Sequence, residues 1–137
     1  MTDLERGREA ATRDDDDESS SFVEAIAAEL SCEPDEAERL AVAVIATLEE
    51  SLTHDDAEEL DAELPARVRD LVARDPRLLD APGMDMAMFV RRVAHRTGMT
   101  EDDAARTLAA VISVLLEHVS PREARRIATR LAGSRRH

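Results

Sequence analysis

The chain has no lysine, no tryptophan and no tyrosine, and only one cysteine, four glycines and five prolines in 137 residues. A single cysteine, Cys32, cannot close a disulfide within the chain, which excludes a small cystine-stapled scaffold. Phe22 and Phe89 are the only aromatics, so there is no stacking platform for single-stranded nucleic acid, and a core must be packed from Ala, Leu, Val and Ile. Scarce glycine and proline leave long stretches without helix breakers. The longest nearly apolar run, Leu40 to Leu48, is far short of the ~20 residues that span a bilayer. The amino terminus offers neither the basic start nor the apolar segment of a signal peptide. These features read as a cytoplasmic protein with no membrane partner and a chain long enough to bury one ordinary core.

What is abundant is acid, and it is unevenly placed. The net charge is −13, yet residues 1–87 carry 26 acids and 8 arginines, whereas residues 88–137 carry 5 acids and 10 arginines. The two parts should attract each other. A net negative surface repels phosphates, which weighs against general nucleic-acid binding. Residues 1–20 contain the run Asp14 to Glu18 and no periodic apolar positions, and are expected to form a disordered acidic tail. Ser21 and Glu24 have the spacing of a capping box, which predicts a first helix over Phe22 to Leu30.

Shifted against itself by 67 positions, the chain aligns 22–65 with 89–132 without a gap, and 13 of the 44 pairs are identical. They include Phe22/Phe89, Ala37/Ala104, Arg39/Arg106, Ile45/Ile112, Leu48/Leu115, Glu50/Glu117 and Leu64/Leu131. The period is too long, and the copies too few, for a solenoid. The expected fold is all-α: a helical bundle of two tandem homologous three-helix units with approximate internal two-fold symmetry. The first helical repeat is placed at 21–74, including an additional helix over Ala66 to Arg74. A linker with Pro76, Pro82 and Gly83 follows at 75–87, then the second repeat at 88–132 and a basic tail at 133–137. Within each unit, helix 2 (Asp35 to Leu52, Glu101 to Val119) carries large apolar side chains over an arc of about 200°, twice the stripe of an ordinary surface helix. One neighbour cannot cover that arc, so each helix 2 should be sandwiched, with its twin as one partner, within the chain or across a homodimer.

The pattern Phe22-Val23 … Asp35-Glu36-Ala37-Glu38-Arg39 … Ala43-Val44 … Thr47-Leu48 … Ala57 … Leu60 … Glu63-Leu64-Pro65, echoed from Phe89 to Leu131, resembles the bacterial family catalogued as domain of unknown function 2267. The resemblance implies a small helical fold. It brings no activity, cofactor or site residue, because the matching positions are core and capping residues.

The residues singled out as an interaction surface are Arg122, Arg125, Arg126 and Arg130, which share one side of the last helix, and Asp55, Asp56 and Glu59 in its counterpart. The arginine stripe should meet acidic groups: the Asp14–Glu18 run, the acids of helix 3 in the first unit, or another molecule. Met84, Met86 and Met88 have the alternation of soft-metal sites, but read more simply as an apolar strap over the helix pair. His95 and His118 lack a third ligand for zinc. Cys32 has acidic neighbours that disfavour a thiolate. No phosphate loop, nucleophile elbow or paired-carboxylate arrangement stands out, so no catalytic, metal or cofactor residue is assigned and no cofactor is expected. The function read from these features is a non-enzymatic interaction or adaptor module, with a protein partner of unknown identity. One alternative is a small-ligand binder or enzyme with a cleft between the units, using His95, His118 and nearby arginines. Another is nucleic-acid binding through the arginine stripe.

Overall fold

The computed structural model describes residues 18–74 and 85–134, and every regular element among them is a helix. The elements are α1 (18–30), α2 (Pro34–Glu50), α3 (His54–Glu63), α4 (Ala66–Arg74), α5 (Met86–Thr97), α6 (Glu101–His118) and α7 (Pro121–Ser134). Local chemistry sets most of the boundaries. Pro34 opens α2, where its missing N–H costs nothing. The hydroxyls of Thr53, Thr100 and Ser120 accept hydrogen bonds from the backbone N–H groups of Asp56, Asp103 and Glu123, at 3.2, 3.1 and 3.2 Å, and so cap α3, α6 and α7. Thr53 and Ser120 are 67 positions apart, and both caps carry the acid three residues on that the spacing predicts.

Two starts differ from expectation. Residues 18–21 are helical, so Ser21 lies inside α1 and does not cap it. Ser19 is buried, and the Glu18 carboxylate lies 3.3 Å from His118 Nε2 at the end of α6. These are tertiary contacts that a local capping argument cannot see. On α5, the Asp85 side chain accepts from Met88 N at 2.8 Å, so the helix starts at Met86 and takes in the last residues of the expected linker. Met86 and Met88 accordingly occupy the first turn of a helix, not a strap. Met86 packs against the core and Met88, 42% exposed, is the one large apolar side chain left open among the described residues. Met84, the rest of the linker, the tail before Glu18 and residues 135–137 lie outside the described residues.

The turn after α1 and the turn after α5 share an unusual backbone. Ser31 has φ +55° and Gly98 has φ +76°, again 67 positions apart. Glycine adopts the left-handed region freely, whereas a serine there costs about 1–2 kcal/mol. The first turn keeps the conformation despite that cost.

The core is one cluster drawn from both parts of the chain: Phe22, Ile26, Val44, Ile45 and Leu48 pack with Phe89, Val93, Val111, Leu115 and Ile127. Helix α2 is at its centre. Every residue from Ala43 to Glu50 is buried, so the second half of the helix has no wet side. Helices α4, α5 and α6 pack on it, and α5 and α7 pack on α6. Helix α6 is less enclosed and keeps a narrow open stripe through Ala109, Ser113 and Glu117. The apolar arc of α2 is thus closed within a single chain, by α4 and α5 as well as by α6, and a second copy is not needed to cover it.

Emptying a fully buried site in either part should cost about 2–5 kcal/mol. Leu48→Ala and Leu115→Ala should therefore each lower the midpoint of one shared unfolding transition. Two separate transitions in denaturant would show that the parts do not share a core.

Candidate interaction surface

Helices α3 and α7 run antiparallel, and polar contacts tie them together. At one end, the Ser120 backbone N–H and hydroxyl donate to the Glu63 carboxylate at 2.6 and 3.0 Å. At the other, Arg130 Nε donates to the Ser51 carbonyl at 3.1 Å. Between them Arg126 makes ion pairs with Glu59 and with Glu123, and lies 3.5 Å from Asp56. Asp56, Glu59 and Arg126, three of the residues singled out from sequence, therefore meet inside the chain. Arg122, Arg125 and Asp55 do not join them and are exposed.

This seam holds more acid than base. Glu123 is 4% exposed on the inner side of α7. Burial, and then the nearby carboxylates of Glu63 and Asp56, push its carboxyl above the ordinary range, with Arg122 pulling the other way. The Arg126 guanidinium is shared by Asp56, Glu59 and Glu123, with Arg122 adding a second positive charge near Glu123. Beside the seam a shallow cavity of about 420 Å³ has Leu52 as its apolar part and Arg125, Arg126 and Arg130 on its walls.

A second polar cluster, deeper in the fold, escaped the sequence reading. Glu50, 1% exposed at the end of α2, accepts two hydrogen bonds from the Arg96 guanidinium of α5, at 2.6 and 3.1 Å. Arg96 also donates to Thr47 Oγ1 at 2.7 Å, and that hydroxyl donates to the Ala43 carbonyl at 2.8 Å. Arg92, one turn back on α5, places Nη2 3.9 Å from Glu50. The fork of a guanidinium matches a carboxylate in two places, which suits Arg for a pair this dry. A signal existed in the sequence: Arg92 and Arg96 are spaced i, i+4 on the mostly apolar α5, and Glu50 sits at the end of an otherwise apolar rod.

The remaining candidates are dispersed. His95 is exposed, one turn before the short connection from α5 to α6, whereas His118 ends α6. Because α6 has 18 residues, it separates them by roughly 25 Å. They do not share a cleft. The His118 ring meets Phe22 edge-on, with centroids 5.3 Å apart. Among the described residues no group of three or more His, Cys, Asp or Glu side chains is placed to hold a metal ion. A cavity of about 490 Å³ does lie where the α1–α2 and α5–α6 turns approach each other, lined by Cys32, Glu36, Leu40, Met99, Arg106 and Thr107 among others. The Cys32 thiol pKa is pushed up by burial and then by Glu36 and Glu33, which disfavours its thiolate form.

All-helical architecture, one core and a charged surface define the class. The chain belongs to the family described as "Uncharacterized conserved protein (DUF2267)", whose model matches residues 19–137. This agrees with the resemblance carried by the core and capping residues. The comparison with curated proteins found no match. Among the described residues, no helix is long and apolar enough to cross a membrane.

Removing one partner of a buried ion pair strands the other, at a cost of about 3–5 kcal/mol, whereas replacing both with apolar groups is often neutral. Arg96→Met should lower the denaturant midpoint accordingly, and adding Glu50→Leu should recover most of the loss. For Glu123 the raised pKa means that the folded state binds the proton more tightly than the unfolded state. Its contribution to stability is therefore lost as pH rises through the folded value and regained below it. Relative to wild type, Glu123→Gln should gain stability at pH 7 over what it shows at pH 4, and a pH-independent difference would contradict this.

Proposed function

We propose that the chain is a non-enzymatic cytoplasmic interaction module, built as two tandem three-helix copies clasped about an approximate two-fold axis. Its outer arginine face on α7 receives acidic segments of partner proteins. Matching features 67 positions apart support the two-copy reading. Both Phe22 and Phe89, both Val44 and Val111, and both Leu48 and Leu115 are buried. Ser31 and Gly98 share the left-handed turn. Glu63 and Arg130, also 67 apart, each bond to backbone at the opposite helix 2 to helix 3 corner.

The observation that carries the interaction reading is the character of the surface. Met88 is the one exposed large apolar side chain among the described residues, while Arg122 and Arg125 stand exposed on α7. Recognition by such a surface is electrostatic, and its energy and specificity come from charge complementarity rather than from an apolar patch. Nucleic-acid binding is less well supported, since Arg126 and Arg130 are drawn into the seam and two remaining arginines neutralise few phosphates. The cavity at the paired turns favours a second reading, a small-ligand site between the copies, in which Cys32 and Met99 would line the ligand.

A photo-crosslinking residue at Thr129, exposed beside Arg125, tests the first reading in cells of the source organism. It should capture an acidic protein, and Arg122→Glu with Arg125→Glu should abolish the adduct while leaving thermal stability within a few degrees. An adduct that survives the double reversal would sink the α7 reading. A ligand at the paired turns would instead shield Cys32 from alkylation and be indifferent to that reversal.

A further inference from the structure

Two sulfur side chains line one cavity. Cys32 from the α1–α2 turn and Met99 from the α5–α6 turn both border the space of about 490 Å³ where those turns approach each other, and both are half-buried. Each directly follows a left-handed residue, Ser31 or Gly98, so the backbone conformation that places one also places the other. The Cys32 thiol is free. A threonine on the wall adds a second observation. Thr47 and Thr97 each donate to the carbonyl four residues back, at 2.8 and 2.7 Å, the usual local bond of a helical threonine. Thr107, 2% exposed on α6, instead donates to Met99 Sδ at 3.5 Å. A thioether is a weak acceptor, so this bond stabilises little, but it holds the sulfur at the cavity wall.

The oxygen groups of the same cavity are already engaged. Glu36 and Asp103 each pair with an arginine three residues on, Arg39 at 2.8 Å and Arg106 at 2.5 Å. Leu40 adds a buried apolar wall. A hard, strongly hydrated cation that needs several oxygens finds no ready set here. Thiolate and thioether sulfur are the ligands that select soft ions such as Cu(I). With three rotatable bonds, the Met99 side chain can bring its sulfur to an ion held by Cys32.

We propose that Cys32 and Met99 form a binding site for a soft monovalent metal ion of the Cu(I) kind at the junction of the two turns. The proposal deepens the reading of this cavity as a small-ligand site and rests on it. Binding exchanges one cation for one proton: the Cys32 S–H bond breaks, its proton goes to water, and the sulfur–metal bond forms with no change of oxidation state. Because the exchange leaves the local charge unchanged, Glu36 and Glu33, which make a bare thiolate costly, do not oppose it.

The test titrates the full chain with Ag(I), which shares the charge and softness of Cu(I) and is not oxidised by air. The first readout is the NMR signal of the methionine methyl groups. Of the five methionines, Met99 alone should shift, saturating at one equivalent as Cys32 becomes resistant to alkylation. The second is affinity measured against a competing chelator. Met99→Leu should weaken binding at least about ten-fold, the loss expected even for groups that only support a metal ligand, whereas Met88→Leu should not change it. A shift at another methionine instead of Met99 overturns the site, and so does full affinity in Met99→Leu, which would mean that the thiol acts alone. The methyl signals are read on wild type, so a Met99→Leu chain that folds poorly leaves the test intact. A Cys32 that ignores Ag(I), yet is shielded from alkylation by chelator-treated small-molecule extract of the source cells, overturns the metal and leaves the small-ligand reading standing.

Discussion

Helix α2 has no face to turn toward water over its second half, and the arrangement of the other helices follows from that constraint. From Ala43 to Glu50 every side chain is buried, so the helix must be enclosed on all sides rather than laid on a surface. Leaving two or three of its large apolar groups wet would forgo roughly 1.5–3 kcal/mol each, a sizeable share of a domain's ~5–15 kcal/mol. Enclosure needs at least three neighbours, and α4, α5 and α6 supply them. Two of those come from the second part of the chain, which is why the halves form one core and not two small ones.

Enclosure brings Glu50 inside with the apolar residues, and that carboxylate is tolerable only because α5 carries Arg96 to meet it with two hydrogen bonds. Such a pair is weak evidence of net stabilisation, since desolvation offsets much of the attraction. It does fix the register of α5 on α2: the guanidinium fork, the carboxylate and Thr47 fit together in one relative position of the two helices. At the seam the logic differs. Glu123 is held by an arginine shared with Asp56 and Glu59, and excess acid there makes the docking of α7 on α3 sensitive to proton and salt.

The helical elements were largely legible because their signals are local or periodic. The apolar arc marked α2 and α6, and Thr53, Thr100 and Ser120 marked starts through their own hydroxyls. The starts of α1 and α5 were missed for the same reason in reverse: Ser21 looks like a cap, but α1 runs past it, with Ser19 buried and Glu18 beside His118. Of the surface residues, charge alone anticipated that acids of α3 would meet arginines of α7, and Arg126 does so. Charge alone could not divide the arginine stripe into inner and outer members, since that depends on the tilt of α7 against α3. The Glu50–Arg96 pair was missed because its partners are 46 residues apart and a periodicity argument assigns charged side chains to solvent. His95 and His118 were candidates only through their chemistry, and the antiparallel α5–α6 hairpin sends them to opposite ends.

Glu50 and Glu117 occupy equivalent positions in the proposed pair of copies, yet the residues matching Arg92 and Arg96 in the first copy are Ala25 and Glu29, and Glu117 lies in solvent. The two positions are therefore not interchangeable. A free first half joining another first half would confront Glu50 with Glu29 instead of a guanidinium, whereas a first half joining a second half would restore the fork. Were the two proposed copies separate chains, electrostatics at this single internal position would thus favour heterotypic over homotypic pairing.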